Sequence, residues 1–189
     1  MAIFTAYITL LKNAEGGYQN LPQDTGNYNS KGELVGTNHG ISAKTYENWI
    51  GRPPSVADMK NITLNLALEI YKAWYWNKIG AAYISNQSIA NLIVDHAVNA
   101  GIGAAGKLAQ SVLNQYFNYN LVEDGIIGNQ TRTALNSVDQ ELLHNYLKNE
   151  RENFYRNIGG VFLKTWLNRL TLFVFEKKKC CSQYGQFLP

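Results

Sequence analysis

The run Thr63-Leu64-Asn65-Leu66-Ala67-Leu68-Glu69-Ile70-Tyr71-Lys72-Ala73-Trp74 decides the fold class. Leu66, Ile70, Tyr71 and Trp74 recur at helical spacing and share one face; a strand would need strict alternation. Thr63 stands where a capping hydroxyl belongs. Upstream, Ser55 and Asp58 have the spacing of a capping-box variant, after a break at Pro53-Pro54. Before that break, Ser42 caps a short helix reaching residue 49. Downstream, Ser88 opens a helix with Ile89, Leu92, Ile93, His96 and Ala97 turned inward. Gly101-Ile102-Gly103 separates it from a helix over about 104–117 that carries Leu108, Val112 and Tyr116. After the turn Asp124-Gly125-Ile126-Ile127-Gly128, residues 131–136 form a short helix. Residues 138–158 form a long one, with Leu142, Leu143, Tyr146, Leu147 and Phe154. Gly159-Gly160 ends it, and residues 162–175 make a last apolar helix.

The N-terminal residues Ile3, Tyr7, Leu10 or Leu11, and Ala14 repeat at the same spacing and predict a packed first helix. They lack the basic region and cleavage site of a signal peptide. Glu15-Gly16-Gly17-Tyr18 follows, and the glycines end the helix. Residues 19–40 are rich in Asn, Gly, Pro and Asp, with a turn at Ser30-Lys31-Gly32. That composition predicts a small β-hairpin, and a loop of this length in a compact domain is usually functional. The fold expected is mostly α, with a small β-hairpin near residues 20–40.

The chain has 189 residues, 46% apolar and 16% charged, a globular composition. Its net charge of +3 and pI near 8.8 favour approach to an anionic polymer. Basic residues do not interleave with aromatics as on a nucleic-acid face, and Lys177-Lys178-Lys179 reads as a solvated tail. No run reaches the ~18 apolar residues of a membrane span, so neither nucleic acid nor stable membrane insertion is expected. Cys180 and Cys181 are adjacent; a disulfide between neighbours is strained, so both are expected as thiols. His39, His96 and His144 are scattered, and no metal or cofactor is expected.

Three places can carry chemistry. Glu15 ends an apolar helix, where the negative end of the helix dipole and partial burial both raise a carboxyl pKa. A raised pKa suits a general acid at neutral pH; an ordinary exposed helix-end Glu fits the same residues. Asp24 lies nine residues on, across a polar loop, and glycosidases pair a protonated acid with an ionised carboxylate. An Asx turn in Gln23-Asp24-Thr25-Gly26 also explains it. Thr37-Asn38-His39-Gly40-Ile41-Ser42 offers a hydroxyl, an amide and an imidazole for water or sugar hydroxyls. The same six residues also read as a return strand and the next helix cap.

Leu11-Lys12-Asn13-Ala14-Glu15-Gly16-Gly17-Tyr18 resembles the E-G-G-Y signature of the family 108 glycoside hydrolases, which are bacterial and phage N-acetylmuramidases, some of them labelled secretion activators. The likeness continues through Asn20-Leu21-Pro22-Gln23-Asp24 and Thr37-Asn38-His39-Gly40-Ile41-Ser42. Ile70-Tyr71 with Tyr75-Trp76 is similar to the family's Tyr-Trp helix. Asp95-His96-Ala97-Val98-Asn99-Ala100-Gly101 resembles D-x-A-x-N-x-G. Asp124-Gly125-Ile126-Ile127-Gly128-Asn129-Gln130-Thr131 and Trp166-Leu167-Asn168-Arg169 resemble motifs of a C-terminal peptidoglycan-binding part. This chain departs from the pattern in a longer loop over 26–36, in Leu21 and Gln23 at acidic positions, and in His39 and Ser42.

The resemblance implies a lysozyme-like helical fold that cleaves the glycan strand of peptidoglycan, with Glu15 as catalytic acid. Asp24 would steady the oxocarbenium-like transition state or position water with Thr37, and inversion is the expected outcome. Tyr18, Thr37, His39 and Asn99 are the expected substrate contacts. The expected division is a catalytic part over 1–86, a peptidoglycan-binding part over 87–175 packed against it, and a tail over 176–189. Two alternatives are a non-catalytic wall-binding or secretion-associated protein and a lytic transglycosylase. Synthesis in the cytoplasm without a clear signal peptide, with action on the wall or periplasm through a holin or secretion system, completes the expectation.

Overall fold

The computed structural model describes residues 1–14 and 17–177, with side chains throughout except at 12–14. It is mostly helical. Ten α-helices occur among the described residues: α1 (Phe4–Ala14), α2 (Ala43–Ile50), α3 (Val56–Lys60), α4 (Leu64–Tyr71), α5 (Asn77–Ile79), α6 (Gln87–Ala100), α7 (Ile102–Phe117), α8 (Asn129–Ser137), α9 (Gln140–Ile158) and α10 (Leu163–Thr171). A π-helical turn, Lys72–Trp76, joins α4 to α5. Such turns widen a helix locally and often mark functional sites; this one carries Trp74, Tyr75 and Trp76.

Helix α6 is the axis of the fold. Ten consecutive residues, Ser88 to Ala97, are buried, as expected of a helix enclosed on every side. It packs on α7 and α9, and α9 in turn holds α10. Helix α1 is pinned to the start of α6: the Ile3 amide donates to Gln87 Oε1 (2.7 Å) and Gln87 Nε2 returns a bond to the Ile3 carbonyl. Phe4 and Tyr7 pack on Trp76, with ring centroids 5.5 and 6.1 Å apart. Ile3 itself points out; Ala2, Tyr7 and Leu11 make the buried face.

Most helix starts sit where the sequence puts them. Ser42 accepts from the Thr45 amide, Thr63 accepts from the Leu66 amide, and Ser55 with Asp58 closes a reciprocal capping box. Helix α6 begins earlier than expected, because Asn86 caps it by accepting from the Ser88 and Ile89 amides. Asp139 caps α9, and Leu142 is half exposed rather than core. The last helix stops at Thr171; Phe173 beyond it is still buried.

The expected β-hairpin near residues 20–40 is replaced by three isolated antiparallel bridges: Gln19 with Thr37, Tyr28 with Leu34, and Asn38 with Ile41. A ladder fails for a physical reason. The Val35 and Gly36 amides both donate to the Asn27 carbonyl (2.9 and 3.0 Å), so two residues oppose one, as in a bulge. Gly36 takes φ +91° there, with the Tyr18 ring where its side chain would be. Asn29 captures the Lys31 and Glu33 amides through Oδ1, replacing ladder bonds with local ones.

Downstream, the Asp124–Gly128 turn is clamped on α7. Gln110 donates to Asp124 Oδ1 and the Ile126 carbonyl and accepts from the Gly125 amide. Gly106 lies flat against the turn, so a Cβ there would collide with the Gly125 carbonyl.

Candidate active site

The segment from Gly17 to Ile41 gathers most of the sequence-predicted site residues. Gln19 is its hub. Its backbone exchanges two hydrogen bonds with Thr37 (2.9 and 2.8 Å). Its side chain donates to Asp24 Oδ2 and Asn27 Oδ1 and accepts from the Leu21 amide and Asn27 Nδ2. Asp24 and Thr37 are thereby tied to the same residue.

The Asp24 carboxylate is half-buried and caps the 3₁₀ turn Thr25–Asn27 through the Gly26 amide, 2.9 Å from Oδ1. Each oxygen accepts one protein donor and keeps a further lone pair, so the carboxylate is held in one orientation. Thr37 has a buried Oγ1 with no hydrogen-bond partner among the described residues. An unpaired buried hydroxyl is costly, on the order of 1–3 kcal/mol.

Tyr18 donates to the Val35 carbonyl (3.1 Å), and the Lys60 ammonium sits 5.2 Å from its ring centre. His39 occupies the left-handed region at φ +47°, followed by Gly40 at +72°. With the Asn38–Ile41 bonds across them, these residues form a tight reverse turn that needs positive φ at both central positions. The Tyr71 hydroxyl donates to the His39 carbonyl (3.1 Å), so α4 fixes the turn. Buried Asn38 fixes its base by donating to the Met59 and Lys60 carbonyls.

The long 26–36 loop docks by its own side chains. Asn29 donates to the Pro54 carbonyl (3.0 Å), and the Ser30 amide donates to Glu47 Oε2 on α2 (2.8 Å). Those Ser30 bonds hold the Glu47 carboxyl below its usual range. Beside the docked loop, Trp49 of α2 and Trp74 of the π-turn meet edge to face at 5.9 Å, and Lys78 lies over Trp74 at 5.1 Å. Both tryptophans are half-buried, which leaves apolar ring surface beside polar loop groups.

Glu15 lies outside the described residues, as do Cys180 and Cys181, and with Glu15 goes the carboxylate separation that would indicate stereochemistry. Asn99 is exposed on α6 and belongs to another cluster, donating to the Asp95 carbonyl (2.8 Å) and to Asp95 Oδ2 (3.3 Å).

The motifs named Asp95 and Arg169 separately; the structure joins them in that second cluster. Asp95, fully enclosed, accepts from Arg151 of α9 and from Arg169 of α10, the latter at 2.7 and 3.1 Å on Oδ1. Arg151 also donates to Tyr155 Oη and the Leu92 carbonyl. Burial pushes the Asp95 carboxyl up, but the two guanidiniums outweigh it and hold it below the ordinary range. Neighbouring His96 is forced the other way: burial first, then Arg151, lower its pKa to about 3. Both its ring nitrogens lack partners among the described residues, beside a cavity of about 10 Å³, room for about one water. A signal for Arg151 was present, since it sits on the stripe Leu143, Leu147, Tyr155. A cation on a core stripe demands a buried anion. Gln19 gave no such signal, and the Asn38 amide, expected to face water or sugar, is buried on the Met59 and Lys60 carbonyls instead.

Comparison with known proteins agrees with this architecture. Residues 8–101 match the glycosyl hydrolase 108 model, and residues 104–171 match a predicted peptidoglycan domain. Twelve chains of solved structure match. One of them, described as the structure of Brucella abortus SagA, superposes with a TM-score of 0.76 at 29% identity, covering 89% of each chain. No curated protein matches.

Proposed function

From the premise that the chain belongs to the glycosyl hydrolase 108 family and carries a predicted peptidoglycan domain, we propose that it is an N-acetylmuramidase with a lysozyme-like arrangement. Peptidoglycan is its substrate class, and the bond cleaved is that to N-acetylmuramic acid. Glu15 is the general acid and protonates the glycosidic oxygen. Asp24 is the fixed anion that steadies positive charge on the departing sugar. Thr37 orients a water or a sugar hydroxyl, and Tyr18, His39 and Asn99 contact the glycan.

The observation that carries this reading is the Gln19–Thr37 pairing. It sits just after position 15 in the chain and ties a fixed carboxylate and an unpartnered hydroxyl to one residue. Glycoside hydrolysis needs an anion for the oxocarbenium-like centre and a polar group for water. In the division proposed, residues 1–86 carry the chemistry, 87–175 hold the wall and 176–189 form the tail. Action in the wall or periplasm follows export through a holin or a secretion system.

Glu15→Gln is the test. It is nearly isosteric, removes the transferable proton and leaves the binding surfaces alone. Turbidity loss of a wall suspension should stop, while sedimentation with walls persists. Lysis at the unaltered rate in the variant refutes the assignment. Mass spectrometry of the products separates hydrolysis from transglycosylation, which would leave anhydro-muramic ends.

A further inference from the structure

A polar groove lies far along the chain from the Gly17–Ile41 segment, between α7 and α9. It has a volume of about 220 Å³, below the range of drug-sized pockets and suited to a single sugar unit. Its floor is apolar, from Val112 and the half-buried Phe154. Its rim is polar: Ser111 on α7, and Glu150, Asn153 and Asn157 on α9. The three α9 residues recur at helical spacing and share one face.

The hydrogen-bonding state of that rim is informative. Glu150 is fixed in place, because the Tyr116 hydroxyl donates to its Oε1 at 2.7 Å, while Oε2 receives only a long 3.4 Å contact from Asn153. Tyr116 is itself stacked on Tyr146 with ring centres 4.0 Å apart. Ser111 is half-buried and Asn157 exposed, and both line the groove. A carboxyl held by a stacked tyrosine, two polar rim groups and an aromatic floor together make a recognition surface.

We propose that this groove is a glycan-binding subsite that takes an N-acetylglucosamine unit of the wall strand, apart from the Gly17–Ile41 segment. An acetamido N–H and ring hydroxyls donate to the Glu150 carboxylate, a charge-assisted contact. Asn157 and Ser111 bond the remaining hydroxyls, and the sugar's C–H face lies on Phe154. The same carboxylate repels the lactyl carboxylate of an N-acetylmuramic unit. The groove thus distinguishes the two alternating sugars. The choice of ligand rests on the wall-directed function proposed above; the groove's geometry does not depend on Glu15.

The test uses the full chain with Glu15→Gln, which keeps the probe intact, and follows backbone amide signals by NMR. An N-acetylglucosamine tetramer should shift the signals of Ser111, Asn153 and Asn157 saturably, and muramyl dipeptide should not. Asn157→Ala should weaken this response about tenfold, the loss of one or two hydrogen bonds, and should reduce sedimentation with insoluble walls. Glu150→Gln should let muramyl dipeptide bind. Shifts confined to the Gly17–Ile41 segment, or a groove that responds to muramyl dipeptide alone, overturn the proposal. Persisting lysis by Glu15→Gln with groove shifts intact would instead count against the catalytic reading only.

Discussion

Replacing Asp95 by Asn should cripple the fold through charge alone. The substitution keeps the size and shape of the side chain and removes one negative charge. Asp95 and Arg151 are each 1% exposed and Arg169 is 13% exposed at the side chain, so water cannot screen what is left. Two guanidiniums would then face each other across a neutral amide. Breaking a buried ion pair from one side costs about 3–5 kcal/mol. In a chain of this length each kcal/mol moves the midpoint by about 2–4 °C, so melting should fall by about 6–20 °C. Circular dichroism melts and urea titrations give the two measures. A cycle makes the cause specific: Asp95→Asn combined with Arg151→Met should lose less than the sum of the singles, by about 1 kcal/mol or more. A midpoint within about 2 °C of the unaltered protein, with additive singles, would refute the claim that this cluster holds α6, α9 and α10 together.

Other outcomes follow from the same geometry. Thr37→Val removes a buried hydroxyl that has no partner among the described residues; stability should hold or rise by about 1 kcal/mol, while wall lysis drops at least tenfold. Equal lysis would leave Thr37 without a role in the reaction. Gly106→Ala should destabilise by about 1–3 kcal/mol in chemical denaturation, because the new methyl meets the Gly125 backbone. Acid should weaken the fold in a defined window. His96 is neutral in the folded chain, with a pKa of about 3, but in the unfolded chain it binds a proton below about pH 6.5. Stability is therefore complete above pH 6.5 and falls as pH drops towards 3, by about 2 kcal/mol at pH 5 from this group. Burial and then Lys148 also lower His144 and add to the slope. In His96→Leu the fall in midpoint between pH 6.5 and 4 should become shallower; an unchanged slope would remove His96 as its source.

The helices were legible because their signals are local. Thr63, Ser55 with Asp58, and Ser42 each announce a start from a few neighbouring residues, and α4 and α6 carry their buried faces as visible stripes. The loop was legible as a loop and misread as a hairpin. Its path depends on Asn27 and Gln19 bonding each other across eight positions, and on Asn29 reaching Pro54. Nothing in the alternation of polar residues encodes such bonds. Asp24 and Thr37 could be named from their motif, but their common tie to Gln19 needed coordinates. The Asp95 cluster was half visible: motifs flagged Asp95 and Arg169 without linking them, since the partners come from helices far apart in the chain. Residues such as Ser111 and Asn157 look like any solvated helix position until the neighbouring helix is placed beside them.

The distances along the chain within that cluster have a bearing on biogenesis. Asp95 waits for partners 56 and 74 positions later, and during synthesis the N-terminal stretch emerges first at about 5–20 residues per second. Until Arg169 has left the ribosome, the central helix carries an anion that cannot be enclosed and a flank that has nothing to lie against. A chain terminated just after Ala100 would lack both guanidiniums that enclose Asp95 and should be soft and open to proteases. A glycoside hydrolase assembled this way reaches its finished form only when α10 has been made.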